Sequence, residues 1–332
     1  MAYRVLIIGC GAIAGGYDAD RSPQDWPLSH AGAIARDDRF ELMACVDPND
    51  ATRNAFASRW DVQQSLPSLD ALGAKPGDFD LIVIASPTGH HAAQLEWAAT
   101  MKPRAVFCEK PLGSEIAQAE ELANRYEAGG IPLAVNYLRR WAPKIVMEAG
   151  RIAAGKYGAL ISASAIYTKG IVHNGGHMVD LLRFLIGDLE LHSVGPARFD
   201  HWDDDPTVSA ILTAKNQAPV HLVAGDARHV TQFELELSFE KAQVALRDGG
   251  RRIEHRVVED SAVYAGYLEL GPATSSAGAL DGAMTNAYGN IHKTLQQNAP
   301  LASTGATALA AQRLCEDIRR KAFDRLDKGT PS

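Results

Sequence analysis

Glu109-Lys110-Pro111 follows directly on the apolar run Ala105–Cys108. A lysine there, locked by a proline and preceded by a carboxylate, is costly to bury without a task. Its ammonium can hold a hydroxyl and stabilise the oxyanion character that develops as the carbon beside it gives up hydride. Pro111 permits a cis bond that would aim the lysine inward. Further along, Gly175-Gly176 lead into His177 and Asp180, three apart in a helix-like stretch, so both side chains project from one face. A histidine–carboxylate pair at a helix start suits proton removal from an alcohol near neutral pH. A helix cap beside a solvated histidine is the plainer alternative.

Other polar segments end apolar runs in the same way. Gly9-Cys10-Gly11-Ala12-Ile13-Ala14 closes Tyr3–Ile8 with the spacing of a dinucleotide fingerprint. Gly9 allows the tight turn, Gly11 lets a pyrophosphate approach the backbone, and Ala14 lets helix pack on strand. Helix amides around Ala12 and Ile13 would then hold the phosphates. Asp47 ends the second run and could accept both ribose hydroxyls while repelling a 2′-phosphate, which favours NAD, with NADP possible. It lies 38 residues after Gly9, against ~20 in the simple pattern. The excess is assigned to an insert at 17–28, before Ser29-His30-Ala31-Gly32. Ser86-Pro87-Thr88 ends a further run: Pro87 would turn the chain across the cofactor, Ser86 and Thr88 offer hydroxyls, and His91 opens the next helix. Glu109 and Lys110 complete this cofactor set. Asn136, Arg139, Lys169 and His173, with Tyr137, Arg140 and Tyr167, are polar groups near the predicted domain junction and candidates for substrate binding. Of these, Lys169 or Arg139 could hold a substrate carboxylate or phosphate; a structural role is the plainer alternative for each alone. No metal-ligand spacing occurs.

Continuous apolar strands alternating with helices at 51–60, 91–100 and 115–128 predict a doubly wound parallel sheet. The stretch 63–80 reads as a short strand and turns. After Asn136 the pattern changes to helices at 142–154 and 176–186 and strands at 158–167, 208–214, 220–225, 234–239, 243–247 and 253–258. Strict alternation at 234–239 marks a half-exposed strand, and Asp248-Gly249-Gly250 a hairpin turn. Helices at 279–296 and 304–323 close the chain. The expected division is a dinucleotide-binding domain at 1–136 and a substrate-binding domain at 137–332.

With 46% hydrophobic and 22% charged residues the chain reads as an ordinary globular protein, and its formal charge of −7 argues against nucleic acid or an anionic membrane as main partner. No apolar stretch approaches the roughly 18 residues of a membrane helix, and the run after Arg4 breaks at Gly9 and Gly11, a poor signal peptide. Cys10, Cys45, Cys108 and Cys315 read as buried thiols of a reducing compartment, so a cytoplasmic setting is expected.

On these motifs, from about Tyr3 to Phe323, the chain resembles the Gfo/Idh/MocA oxidoreductases, relatives of glucose–fructose oxidoreductase and inositol dehydrogenase. The resemblance implies an amino-terminal Rossmann domain and a carboxy-terminal α/β domain with a large, mostly antiparallel sheet that commonly makes a homo-oligomer contact. It also implies NAD(P)-dependent hydride transfer at a hydroxyl or keto carbon of a sugar, cyclitol or sugar nucleotide. Many relatives carry a catalytic histidine four residues after the aspartate, where this chain has Phe184; His177, one turn before Asp180, is the substitute. The stretches 14–17, 30–33, 167–170 and 173–177 are similar to a branch linked to surface-polysaccharide sugars. Two alternatives stay open: an enzyme that recycles bound NAD during epimerisation, elimination or glycoside cleavage, and a non-catalytic NAD(P)-binding sensor.

Overall fold

A computed structural model describes residues 2–327. The chain packs as two compact units. The first runs from the amino end to Trp141 and takes in Gly282–Leu309; the second is Ala142–Asp281 with the chain from Ala310 onward.

The first unit holds six strands, β1 Tyr3–Ile8, β2 Phe40–Val46, β3 Gln64–Leu66, β4 Leu81–Ile84, β5 Ala105–Cys108 and β6 Leu133–Val135. They pair in parallel in the order β3-β2-β1-β4-β5-β6, the arrangement of a dinucleotide-binding fold. Every residue of β4 and β5 is buried, as a sheet covered on both faces requires. Between the strands run α1 His30–Ile34, α2 Asp50–Trp60, α3 Leu69–Leu72, α4 His91–Thr100 and α5 Ile116–Ala128. The stretch 63–80 carries α3 as well as a strand and turns. Ser68 caps α3 by accepting from the Ala71 amide, and Gly73 ends it in a left-handed conformation; a single turn is too short to leave a periodic pattern.

No continuous helix follows the fingerprint; the insert read at 17–28 interrupts it after a single turn. One turn forms, with Gly15 N donating to Gly11 O, and the chain then leaves the helical path. It returns at His30 and Ala31, whose amides bond the carbonyls of Ile13 and Ala14 at 3.1 and 2.8 Å. Those carbonyls would take the amides of Tyr17 and Asp18 in an unbroken helix. Residues 17–29 are therefore looped out of a helix that resumes on the far side. Buried Asp18 ties the loop base, accepting from Ser29 N at 2.8 Å and Ser29 Oγ at 2.6 Å. Without this loop the Gly9–Asp47 interval falls close to the ~20 of the simple pattern.

The second unit contains α6 Pro143–Ala153, β7 Leu160–Tyr167, α7 Gly175–Ile186, β8 Leu189–Arg198, β9 Thr207–Ala214, β10 Pro219–Ala224, β11 Phe233–Phe239, β12 Ala242–Arg247, β13 Arg252–Asp260, β14 Leu268–Leu270 and β15 Thr274–Ser276. The sheet runs β14-β13-β12-β11-β7-β10-β9-β8, with β15 on β13; β7 and β10 pair in parallel, the other neighbours antiparallel. Strand β8 has no counterpart in the sequence reading. Register shifts between Leu191 and Ser193 and between Val194 and Ala197 break its alternation, which is what bulges do to a period of two.

The helices α8 Ala283–Gln297 and α9 Gly305–Asp327 complete the described chain. Met284, Ala287, Tyr288 and Ile291 of α8 join Tyr3, Phe40, Phe107 and Trp141 in the core of the first unit. Trp141 Nε1 also donates to Asn290 of α8 at 2.9 Å. These contacts carry the first unit to Trp141, where the change of sequence pattern lies at 136/137.

Candidate functional site

The polar segments of the first unit converge because they all leave the same edge of the parallel sheet. Gly9 has φ +91°, and a Cβ there would lie 2.6 Å from Ser86 N, so only glycine lets the loop after β1 press against the loop after β4. At Gly11 an added Cβ would meet nothing within 4 Å; that side of the loop opens onto space. Ala12 is exposed, Ile13 half-buried and Ala14 buried. Asp47, just past β2, accepts from Cys10 N and Asn49 N, each at 2.8 Å. Arg53 gives one guanidinium nitrogen to the Asp47 carbonyl at 2.7 Å and the other to Asp50 at 2.6 Å.

Beyond β4, Ser86 donates to Gln94 Oε1 at 2.5 Å, Pro87 is exposed and Thr88 starts a short 3-10 turn. His91 is buried, its Nε2 lying 2.8 Å from Ser86 O and its Nδ1 2.7 Å from Pro111 O. The ring thus stitches the Ser-Pro-Thr turn to the Glu-Lys-Pro turn. The Lys110–Pro111 peptide is cis.

Half-buried Glu109 is the centre of a polar cluster. His30 Nε2 donates to its Oε1 at 3.0 Å, Asn136 Nδ2 donates to the same oxygen at 2.6 Å, and His30 Nδ1 lies 3.0 Å from the Tyr288 hydroxyl. Burial pushes the Glu109 carboxyl up; the His30 hydrogen bond and charge, the Asn136 hydrogen bond and the Lys110 charge outweigh it and hold the carboxyl below its usual range. Burial, then the Glu109 charge, push Tyr288 well up. Asn136 is buried and gives its amide to Glu109. Sequence reasoning named His30 only within short stretches such as 30–33 and gave neither it nor Tyr288 a part in this cluster, since their partners are distant in the chain. Arg139 lies in the turn after β6.

Lys169, His173, His177 and Asp180 belong to the second unit. Lys169 takes a left-handed φ of 65° and opens a π-helical turn at Gly170–Asn174 that passes into α7, a distortion found at functional sites. His177 is half-buried and Asp180 buried on α7, with Phe184 one turn further. Asp205, itself buried, accepts from Val172 N at 3.0 Å, His173 N at 2.9 Å and His173 Nδ1 at 2.7 Å. The His173 ring stacks on Trp202 at 4.6 Å. Nothing near Asp205 in the sequence signals this pairing, because it joins a helix start to a distant loop. Gly170 makes room for it. With φ +80° and a Cβ that would fall 2.1 Å from Asp205 Oδ2, Gly170→Ala should destabilise the protein by about 2 kcal/mol or more, measured by denaturant unfolding.

Residues 3–137 match the model of an oxidoreductase family with an NAD-binding Rossmann fold, GFO_IDH_MocA. This stretch belongs to the Gfo/Idh/MocA oxidoreductases. Among relatives, the chain is similar to a D-apiose dehydrogenase of Rhizobium rhizogenes, 31% identical over 37% of this chain and 36% of that protein. It is similar also to an inositol 2-dehydrogenase of Rhizobium meliloti, 28% identical over 48% and 51%. The matched regions thus span a third to a half of these relatives. Over 98% of its length the chain superposes, at TM-score 0.76 and 19% identity, on 97% of the WlbA dehydrogenase of Bordetella pertussis, solved with NADH and UDP-GlcNAcA. That likeness establishes the fold. The family's dinucleotide fits the observed edge: a Gly9 turn no side chain can replace, space at Gly11, and a carboxylate at the end of β2. Among the described residues no group of three or more His, Cys, Asp and Glu is arranged to hold a metal ion, and no helix is long and apolar enough to cross a membrane.

Proposed function

We propose that the protein is an NAD-dependent dehydrogenase acting on a hydroxyl-bearing carbon of a sugar, cyclitol or sugar nucleotide. The observation that carries this reading is the convergence of the Gly9–Ala14 turn, Asp47, Ser86–Thr88 and Glu109-Lys110 on one edge of a Rossmann sheet. The nicotinamide, when bound, supplies the hydride acceptor or donor. Residues Gly9 to Ala14 cradle the pyrophosphate, Asp47 takes ribose hydroxyls, and Ser86, Pro87 and Thr88 line the path toward the ring. His91 acts on that path through the two carbonyls it bridges. Lys110 holds the reacting hydroxyl and stabilises negative charge on its oxygen. His177 removes the hydroxyl proton, with Asp180 fixing its helix turn. Lys169, His173 and Arg139 serve the remainder of the substrate; Asn136 serves Glu109. A homo-oligomer formed through the sheet face bearing half-exposed Ile166, Ile211 and Val223 and a cytoplasmic setting, which four buried free thiols suit, belong to the same reading.

The test is a reduction screen of sugars, uronic acids, cyclitols and nucleotide sugars with NAD and NADP side by side. Reduction of NAD by one of these classes is expected. Substrate consumed with no net change in cofactor would assign recycling instead; tight NAD binding with no turnover of any class would leave a sensor. Cofactor choice gives a second expected outcome. Arg53 is committed to Asp47 O and Asp50, while the Asp47 carboxylate stands where a 2′-phosphate would be repelled. Asp47→Asn should cut the preference for NAD over NADP about tenfold or more, read from the two dissociation constants by nicotinamide fluorescence.

A further inference from the structure

His30 is fully buried, and none of the roles above uses its ring. Its two nitrogens meet side chains far away in the chain, Glu109 and Tyr288, each at 3.0 Å. Phe107 packs edge-on against it at 4.8 Å, so the imidazole is fixed in plane and in position. A histidine, a tyrosine, a carboxylate and an amide in one core are unfavourable unless each is satisfied. Here they are assembled beneath the residue that immediately precedes Lys110.

We propose that His30, backed by Tyr288, is a positioning residue for the reaction: with Asn136 it clamps the Glu109 carboxylate whose charge acts on Lys110, and so fixes the ammonium that meets the substrate. The proposal rests on the role given to Lys110 above. The groups around Glu109 are His30 from α1, Asn136 beyond β6, Tyr288 from α8, its neighbour Lys110, and the Cys108 thiol, itself pushed well up by burial and then by the Glu109 charge. His30→Leu keeps the bulk and removes the donor. Burial of the carboxyl then acts with less opposition, Glu109 takes up a proton at higher pH, and Lys110 loses the neighbouring negative charge that holds its own proton.

Two readouts separate this from a merely structural role. In His30→Leu a second acid limb, from Glu109, should add to the His177 limb and steepen the fall of kcat toward acid pH, whereas simple loosening lowers kcat evenly across pH. Independently of any substrate, acetic anhydride labelling of Lys110, followed by peptide mass spectrometry, should run about threefold faster at fixed pH, because an unclamped Glu109 carboxylate no longer holds the ammonium in place. Affinity for NAD by nicotinamide fluorescence should stay within about twofold. His30→Gln restores an N–H donor and should return both readouts toward native. Tyr288→Phe, which deletes one hydroxyl, should shift both in the same direction by less, and it decides the matter if His30→Leu does not fold. Native acid limb and native labelling in the folded variants would overturn the proposal, as would a shift that His30→Gln fails to reverse. Turnover surviving in Lys110→Ala would instead sink the reading of Lys110 and leave the labelling result standing.

Discussion

Lys110→Ala should bind NADH within about tenfold of the native protein and lose turnover by about a hundred- to thousandfold. The asymmetry follows from where the side chain acts. In the proposed reading Gly9 to Ala14 and Asp47 take the phosphates and the adenosine ribose, so most of the cofactor grip would not involve Lys110. Its ammonium matters most as negative charge develops on the substrate oxygen, and an interaction made chiefly in the transition state lowers kcat when removed. Lys110→Met, which keeps the stem and drops the charge, should show the same loss. A second consequence concerns Glu109. Its depressed pKa contributes stability that is fully present above the ordinary glutamate value of about 4.3 and is lost as pH falls through the folded value. Without the Lys110 charge that folded value rises, so acid unfolding of the variant should begin at higher pH, read by circular dichroism across an acid titration. Undiminished turnover in Lys110→Ala would remove the central assignment.

Much of this edge could be read from the chain because parallel strands advertise themselves twice. Both faces are covered, so β1, β2, β4 and β5 are continuous apolar runs, and the polar segment after each must fall at the carboxyl end of the sheet. Gly9, Asp47, Ser86 and Lys110 were legible for that reason alone. His30 and Tyr288 were not. A buried histidine is indistinguishable in sequence from a helix cap or a surface residue, and its partners lie 79 and 258 positions away. The interrupted fingerprint helix was legible for a different reason: the Gly9–Asp47 interval is too long, and the Pro- and Asp-containing stretch 17–28 holds the excess, while the Ile13 and Ala14 carbonyl bonds show how the helix resumes at His30. The antiparallel sheet was visible wherever alternation held, as in β11, and invisible in β8, where two register shifts erase it. Asp205 shows the limit most clearly. Its role depends on His173 and on a glycine at 170 with no room for a side chain, a relation of three residues that no spacing encodes.

Replacing His177 by asparagine should cost about a hundred- to ten-thousandfold in kcat, the usual weight of a positioned acid/base, with KM little changed. Oxidation of an alcohol sends hydride to the nicotinamide and the hydroxyl proton to a base, so the base must start unprotonated and the rate climbs with pH. An imidazole places that limb between about pH 5 and 8. In His177→Asn the limb should vanish, leaving a slow rate that rises with hydroxide and is partly restored by added imidazole. The chain holds a rival for this task. His173 lies four residues earlier, with Nδ1 fixed on buried Asp205 at 2.7 Å and its ring stacked on Trp202, an arrangement that leaves Nε2 as the acceptor when the ring is neutral. The two histidines therefore make opposite demands on one experiment. If His177 is the base, His173→Gln raises KM and keeps the limb; if His173 is the base, that variant loses the limb and Asp205→Asn weakens it, while His177→Asn alters binding alone.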